Sequence, residues 1–587
     1  MTAKKPPIEP TATADTPVDP SRRRLLGGMA LAGAALATAG CQKTPGTAAG
    51  SATAAAAPHD KAAPHDQATS HHEAAPRDEA ALDAALRQHI QNVVVIYAEN
   101  RSFNNLFTDF PGLEQPLSTL QPEQYRQLDR DGRPLDTLPP IWHGLVPHKQ
   151  VVNHRTYHIP EDAITDLPNA PFALHTPDGE PLPHGVVTRD LWHRFYVNQW
   201  QINGGRNDHF VAWADSGALV MGHYGDSAAN LRLWRLAERY TLCDNFFMGA
   251  FGGSFLNHQY LVAAQPPFYP DADQRPGKWL IAVLEGDDPT GIRLKLAADS
   301  PASAMQGKPK FASRSQLTPD FWAVNTMGPA YQPAYSTDPK QPDLADPNSP
   351  NTLPPQVHLT IGDRLSAKGV DWAWYAGAWK MALDGDGIQG LSAEFPVSPD
   401  FQPHHQPLNY FKQFAPGTAA RAQHLLDGGV NGTVQTNHFL AAAAAGKLPT
   451  VAFYKPQGNL NMHAGYSDVE AGDHHIAGVV EALQKSPQWE HMLVIVTTDE
   501  NGGWWDHVAP PKGDRWGPGS RIPALIVSPF AKRGHVEHTV YDTGSIQRFL
   551  NRRFGLEPLP GIVMRDKAMK AAMGFAPGDL TEALQFA

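Results

Sequence analysis

Short continuous runs of apolar residues recur along the chain and alternate with stretches of helical periodicity. Residues 93–97, 493–497 and 524–527 are such runs, rich in valine and isoleucine, as expected for strands buried on both faces of a parallel sheet. Helical stretches include residues 476–485 and 545–554. This alternation predicts an α/β fold, an α/β/α sandwich in which helices cover both faces of a mostly parallel central sheet.

Carboxylate and amide side chains directly follow two of these runs. The first run leads into Glu99 and Asn100, and the second leads into Asp499, Glu500 and Asn501. Ligands of parallel sheets bind beyond the carboxyl ends of the strands, so these side chains are predicted to share one edge of the sheet. Their oxygen atoms are hard ligands that suit a divalent cation. The alternative interpretation is that they are helix N-caps and turn residues.

The composition is typical of a large folded protein with long loops. Of the 587 residues, 41% are hydrophobic and 18% are charged, which excludes disorder of the whole chain. The 50 glycines and 54 prolines indicate loop-rich insertions between core elements. The net charge of −11, without a basic block beyond the N-terminus, argues against a nucleic-acid partner. The only cysteines, Cys41 and Cys243, exclude a disulfide-stapled architecture.

The N-terminal region is typical of an export signal. Residues 21–26 read Ser-Arg-Arg-Arg-Leu-Leu and precede a glycine- and alanine-rich stretch, which predicts a twin-arginine signal peptide over residues 1–41 and a partnership with that export machinery. Two outcomes of processing remain open. Cleavage after the Ala-Thr-Ala of residues 37–39 would release a periplasmic or secreted protein. Alternatively, the Ala-Gly-Cys that ends at Cys41 resembles a lipobox, and a lipid anchor there is the one membrane attachment that the sequence predicts.

A low-complexity segment separates this signal from the folded region. Residues 42–85 consist mainly of alanine, threonine, proline, histidine and aspartate, and they repeat the sequence Ala-Pro-His-Asp. Such a segment buries too little apolar area to offset its ordering entropy, so a disordered linker is predicted. Residues 86–587 are then expected to form the catalytic domain.

Five segments, two of which contain the carboxylates described above, carry polar residues and glycines in a distinctive order. They are Glu99-Asn100-Arg101-Ser102-Phe103; His193 with Asn203-Gly204-Gly205 and Asp208; Asp244-Asn245-Phe246-Phe247 leading into Gly252-Gly253-Ser254 and Asn257; His404-His405-Gln406-Pro407; and Asp499-Glu500 with Asp506-His507-Val508. In this order they resemble the motifs of the bacterial phospholipase C/acid phosphatase phosphoesterase family. The resemblance spans residues 90–555. The chain departs from it at Asn104-Asn105, where many relatives have Asp-His.

The resemblance implies an alkaline-phosphatase-like fold, a serine nucleophile with a phosphoserine intermediate, and one divalent metal ion. The implied roles are Ser254, His193 and His463 as catalytic residues; His404, His405, Asn257 and Asp208 as substrate-binding residues; and Glu99, Asn100, Asp499 and Glu500 as metal ligands. The loop-like stretch 461–475 contains His463 and also the pair His474-His475, which is predicted to support the site or the fold.

The residues around Ser254 suit a nucleophile. Gly252 and Gly253 allow a close backbone approach, and the apolar residues 260–264 predict a helix that starts near the serine. A helix N-terminus directs N–H groups at a phosphate. A serine hydroxyl is a weak nucleophile by itself, and a bound cation is one way to activate it.

The sequence therefore predicts an exported, metal-dependent hydrolase of phosphoric esters. The His-His-Gln-Pro segment favours an acid phosphatase that acts on small phosphate monoesters, and the alternative is a phospholipase C that cleaves phospholipids. A Ser-His-Asp hydrolase is disfavoured because Ser254 lacks the Gly-x-Ser-x-Gly context. A non-catalytic surface lipoprotein would suit the N-terminal segments but has no need for such a motif set.

Overall fold

The computed structural model describes residues 78–385 and 400–586. The predicted signal peptide, Cys41 and most of the predicted linker lie outside the described residues. The strands are β1 Asn92–Ala98, β2 Val146–Val152, β3 Arg155–Ile159, β4 Phe172–Ala173, β5 Gly222–His223, β6 Thr241–Cys243, β7 Phe246–Phe247, β8 Trp372–Gly377, β9 Leu425–Gly429, β10 Val451–Lys455, β11 Met492–Thr498, β12 Ala524–Val527, β13 His535–Glu537 and β14 Tyr541–Asp542.

The α-helices of the described residues flank these strands and vary from one turn to four. They are α1 Glu79–His89, α2 Phe103–Phe107, α3 Pro122–Tyr125, α4 Phe195–Ile202, α5 Phe210–Trp213, α6 Arg232–Arg239, α7 Ser254–Ala263, α8 Ile361–Ala367, α9 Trp379–Leu383, α10 Ala419–His424, α11 His438–Ala444, α12 Val469–Gln484, α13 Thr543–Phe554 and α14 Pro560–Met573.

Eight strands form the central sheet, in the order β13-β6-β12-β11-β1-β10-β8-β9. The five strands from β11 to β9 are parallel neighbours, and β13 is parallel to β6. Strand β12 runs antiparallel to both β11 and β6, so the prediction of a parallel strand at 524–527 is wrong in direction. The physical reason is the connection 499–523, which contains no crossover helix and therefore returns the chain in the reverse direction. The predicted mostly parallel sheet is confirmed.

Helices lie on both faces of this sheet. Ile96 of β1 is paired with Tyr454 of β10, whose hydroxyl lies 2.8 Å from Nε2 of His475 in α12. The next residue, Tyr97, donates its hydroxyl to the carbonyl oxygen of Asn257 in α7 at 3.2 Å. Because successive strand residues point to opposite faces, α12 and α7 belong to opposite layers. The predicted α/β/α sandwich is thus confirmed.

The structure changes two details of the prediction: where the folded region begins and which element carries the pair His474-His475. Helix α1 begins at Glu79, inside the predicted linker, and Leu86 on this helix is buried. Asp83 lies 2.7 Å from Arg552 of α13, so the end of the predicted linker packs onto the folded region. The pair His474-His475 lies in α12 rather than in a loop, because Asp468 caps a helix that already begins at Val469.

A long loop-rich connection separates two of the helices, as the glycine and proline content predicts. Residues 264–360 connect α7 to α8 through turns, short 3-10 helices and isolated bridges, without an α-helix. Among the described residues, none of the helices has the length and apolar content needed to cross a membrane.

Candidate active site

The pairing of the two central strands builds the first part of the site. Ala98 of β1 is paired with Thr498 of β11, so the residues that follow, Glu99 and Asp499, leave the sheet side by side. Strand β10, on the other side of β1, ends at Lys455. Glu99, Asp499 and Glu500 are fully buried. Three carboxylates thus collect at one edge of the sheet, away from water.

Ser254 is the first residue of α7, as the apolar run after it predicts. Its Oγ lies 3.0 Å from Oδ1 of Asn100 and 3.1 Å from Oε1 of Glu500. The serine therefore contacts residues from both strand ends at once. The hydroxyl is nearly buried, at 5% exposure, and stands at the N-terminus of a ten-residue helix. Such a position directs backbone N–H groups toward an anion next to the serine.

The two glycines before Ser254 have no room for a side chain. Gly252 has a φ of +92°, and a Cβ there would lie 2.4 Å from the backbone nitrogen of Phe195. A Cβ on Gly253 would lie 2.7 Å from the carbonyl oxygen of His193. The loop before the serine therefore packs directly against the segment that carries His193, which brings these two predicted catalytic residues into one site.

Asn257, predicted to bind substrate, has a different role in the structure. Its Oδ1 accepts a hydrogen bond from the backbone nitrogen of Ala250 at 2.9 Å. Its Nδ2 donates to the carbonyl oxygens of Ala250, Gly252 and Gly253 at 3.1–3.4 Å. The amide is fully buried and its capacity is used by this loop. Asn257 therefore positions the serine loop, and a contact of its side chain with the substrate stays a prediction.

Glu99 has the most partners of the three carboxylates. Its Oε1 lies 2.8 Å from Nζ of Lys455 and 2.7 Å from Nε2 of His405. Its Oε2 accepts hydrogen bonds from Nδ2 of Asn461 and the hydroxyl of Tyr466, both at 2.8 Å. Burial opposes its ionisation, but Lys455 and His405 outweigh burial and hold the pKa of Glu99 well below its ordinary value.

Asp499 and Glu500 are less well compensated. Burial raises the pKa of both groups; the charge of Glu99 adds to the effect at Asp499, and the charge of Asp499 adds to it at Glu500. Oδ2 of Asp499 is buried and has no hydrogen-bond partner among the described residues. Oxygen atoms in this condition fit a bound divalent cation, which would neutralise them and complete their contacts. Asn100 adds an amide oxygen to the same set.

A histidine that the sequence analysis did not select completes this region. Nδ1 of His258 lies 2.8 Å from the carbonyl oxygen of Ser254 and 3.5 Å from Oδ2 of Asp499. His258, Glu99 and Asp499 offer ligand atoms within 4.8 Å of one another. The spacing gave a usable signal, since His258 follows Ser254 by four residues and therefore shares its helix face.

The four predicted histidines come from different segments and lie next to the buried carboxylates or to one another. Nε2 of His193 lies 3.7 Å from Oε1 of Glu500, and its ring centroid lies 5.6 Å from that of His463. His404 and His405 follow one another in a short 3-10 helix, and Nε2 of His404 lies 3.9 Å from Oε1 of Glu99. Burial lowers the pKa of all four rings.

Two of these histidines can be distinguished by their surroundings. The His193 side chain is 18% exposed, so it stands where the site opens to solvent. The His463 ring stacks on the Tyr466 ring with 4.3 Å between the ring centroids. Nδ1 of His463 lies 2.5 Å from the carbonyl oxygen of Ala464. This contact leaves Nε2 of His463 as the ring nitrogen available to the pocket.

The side chain of Asp208 bonds residues of its own loop. Its carboxylate lies 2.6 Å from Nδ1 of His209, 2.7 Å from Nδ2 of Asn203 and 3.2 Å from Nε of Arg206. These contacts fold its own loop, and none of the side-chain contacts described for Asp208 reaches the residues around Ser254. The structure therefore gives Asp208 a local structural role, and its role as a substrate-binding residue stays a prediction.

The departure at residues 104–105 has a structural consequence that spares the site. Asn105 accepts a hydrogen bond from Arg101 at 3.2 Å and donates one to the carbonyl oxygen of Gly222 at 3.1 Å. Asn104 accepts one from Arg521 at 3.1 Å. The two asparagines thus bond Arg101 of the first motif and Arg521, and none of these hydrogen bonds involves Glu99 or Asn100.

Comparison with known proteins agrees with this geometry. The family model described as "Phosphoesterase family" matches residues 90–557. The chain belongs to the phosphoesterase family. It is accordingly a hydrolase that acts on phosphoric ester bonds, and its α/β fold, candidate metal ligands and buried serine are in keeping with that chemistry.

Several relatives of this phosphoesterase are named phospholipases C. Phospholipase C B of Mycobacterium tuberculosis is 24% identical over 538 residues, which cover 85% of this chain and 78% of the relative. Non-hemolytic phospholipase C of Pseudomonas aeruginosa is 28% identical over 260 residues, 39% of this chain and 33% of the relative. A solved structure from Vibrio parahaemolyticus, described as a protein in the alkaline phosphatase superfamily, is 11% identical with a TM-score of 0.28, covering 60% of this chain and 66% of that one.

Proposed function

We propose that this phosphoesterase is an exported acid phosphatase that hydrolyses phosphate monoesters through Ser254. The observation that carries the proposal is the position of the Ser254 hydroxyl, within 3.1 Å of both Asn100 and Glu500 at the N-terminus of α7. A buried hydroxyl between a helix N-terminus and a set of oxygen ligands suits attack on a phosphorus atom.

The chain supplies each group that the first step needs. Ser254 Oγ forms a bond to phosphorus while the bond to the ester oxygen breaks, and the ester oxygen leaves with the electron pair. Glu500, 3.1 Å from Oγ, is placed to receive the hydroxyl proton. His193, at the exposed side, is placed to donate a proton to the leaving oxygen through its ring nitrogen. The product of this step is a phosphoserine.

The second step reverses these roles. Water attacks the phosphoserine and gives up a proton to His193, the ring that protonated the leaving group. The bond between phosphorus and Oγ of Ser254 breaks, Glu500 returns the proton to Oγ, and inorganic phosphate leaves. His404, whose ring nitrogens have no hydrogen-bond partner among the described residues, is free to donate to the phosphate oxygens. His405 is held by Glu99, so its role is to orient that carboxylate.

One divalent cation, bound by Glu99, Asn100, Asp499 and Glu500, is proposed as the cofactor. When bound, it supplies positive charge that stabilises the serine alkoxide and the phosphate oxygens. The ligand set is dominated by oxygen, which is compatible with several hard cations.

A phospholipase C is the second candidate function. It is favoured by the relatives of that name, one of which aligns with most of this chain. A phosphodiester carries one negative charge and a bulky second ester arm, so it gains less from several donors around the phosphate. The number of histidines around the pocket therefore favours the monoester. Export by the twin-arginine route, with either a soluble or a lipid-anchored mature form, is proposed from residues 1–41.

One activity panel tests the proposal. The full chain is assayed on an aryl phosphate and on phosphatidylcholine vesicles from about pH 5 to about pH 9, with and without a chelator. Faster hydrolysis of the aryl phosphate, abolished by the chelator and by Ser254→Ala, is expected. Ser486→Ala serves as the matched control, because this buried serine bonds the carbonyl oxygen of Ala443 and has no part in the site. Faster cleavage of phosphatidylcholine would contradict the acid phosphatase proposal and favour the phospholipase C.

A further inference from the structure

A buried lysine stands inside the site, and neither the sequence motifs nor the family assignment gives it a role. Lys455 is the last residue of β10 and is fully buried. Its Nζ lies 2.8 Å from Oε1 of Glu99 and 5.8 Å from the ring centroid of Tyr97. A lysine is rarely buried without a paired charge, and Glu99 is that partner here.

The carboxylate that Lys455 contacts, Glu99, also belongs to a cluster of residues that could bind a metal ion. Glu99, His404 and His405 offer ligand atoms that lie within 4.8 Å of one another. One carboxylate oxygen and two imidazole nitrogens form a ligand set that zinc prefers. Neither ring nitrogen of His404 has a hydrogen-bond partner among the described residues. The group therefore has the composition of a cation site, and the ammonium of Lys455 lies against its carboxylate.

The balance of charges in the site also indicates that Lys455 acts in place of a second cation. Glu99, Asp499 and Glu500 bring three negative charges when ionised, and one divalent ion together with Lys455 balances them. A second divalent ion at Glu99 would have to approach the ammonium, which costs Coulomb energy in a buried site. Removing the lysine charge reverses this, because Oε1 of Glu99 would then lose its ammonium partner and keep only the His405 ring.

We propose that Lys455 is a positioning residue whose ammonium takes the place of a second metal ion at Glu99, His404 and His405. It keeps His404 free for the substrate phosphate and limits the centre to one divalent ion. This inference rests on the one-ion site of the proposed function.

The test counts metal ions in variants of the full chain. Wild type, Lys455→Met and Lys455→Arg are stripped with chelator, dialysed against Co²⁺, and analysed by elemental analysis and visible absorption. Methionine removes the charge at similar length, and arginine keeps it. We expect one ion in the wild type and the arginine variant. We expect two in Lys455→Met, the second with the absorption of Co²⁺ bound to nitrogen ligands, and the count should return to one when His405→Gln is added.

The outcomes separate this inference from the proposed function. A folded Lys455→Met variant that binds one ion, as the wild type does, overturns the inference alone. A wild type that binds no ion overturns the proposed metal site itself. Circular dichroism reports folding. If Lys455→Met does not fold, the single variant His405→Gln is measured instead. An unchanged metal count and an unchanged Co²⁺ spectrum in this variant support the inference. Loss of an ion overturns it.

Discussion

Ala98 and Thr498 are paired in the two central parallel strands, and this pairing places Glu99 next to Asp499. The two carboxylates therefore meet at the edge of the sheet although their motifs stand near opposite ends of the sequence. Helix α7 brings Ser254 to the same edge from one layer of the sandwich. The chemistry of the site follows from this meeting of two strand ends and one helix N-terminus.

Metal binding is predicted to depend on Asp499 and not on Asp506, a second aspartate of the same motif. Asp499→Asn should lose the bound metal and most of the activity, because the remaining carboxylates no longer neutralise the cation. Asp506→Asn is the matched comparison, since Asp506 is also buried but pairs with Arg521 at 3.0 Å. It should keep the metal while losing about 3–5 kcal/mol of stability, because it leaves a buried arginine without its partner.

Elemental analysis and denaturant unfolding distinguish these two effects. Full metal content in a folded, active Asp499→Asn protein would contradict the assignment of Asp499 as a metal ligand.

The loop before the serine is predicted to depend on the side chain of Asn257. Asn257→Leu removes the hydrogen bonds to residues 250–253 and should lower stability by about 2–4 kcal/mol, since several buried backbone groups lose their partner. The turnover number should fall more than KM rises, because the serine is displaced while the phosphate contacts remain. Gln259→Leu, on the same helix with one bond to Pro407, is the control and should retain turnover. Equal turnover in both variants would show that Asn257 does not hold the serine.

The pH dependence is predicted from the buried histidines. Burial lowers the pKa of His193 and His404, so their cationic forms predominate only at a pH below the ordinary histidine value of about 6.5. If these rings donate to the phosphate and leaving group as cations, kcat/KM on an aryl phosphate should fall as the pH rises through the lowered pKa values. The optimum should therefore be acidic. A monoester optimum above about pH 8 would contradict this assignment, since both rings would then act uncharged.

The sequence could predict the fold class and the meeting of Glu99, Asp499 and Glu500 at one edge of the sheet, because both depend on local patterns. Buried strands are continuous apolar runs, and residues just after parallel strands gather at one edge of the sheet. Lys455 gave no such signal, because a lysine at the end of an apolar run looks like a strand terminus in solvent. Its role depends on β10 pairing beside β1, a long-range contact that no local pattern contains.

The wrong direction predicted for β12 has a physical cause. The direction of this strand depends on the path of a long connection, and its apolar composition is the same for parallel and antiparallel strands. The motifs that contain Asn257 and Asp208 likewise do not tell whether a polar side chain bonds its own loop. The hydrogen bonds of the folded chain show that both side chains do.

Detection of the phosphoserine tests the central claim most directly. The full chain is mixed with an aryl phosphate at its acidic optimum, quenched in acid within the first turnovers, digested and analysed by mass spectrometry. The account predicts one phosphoryl group on the peptide that contains Ser254, absent from the Ser254→Ala protein, which should also be inactive. Turnover without a phosphoryl group on Ser254, together with retained activity in Ser254→Ala, would contradict it.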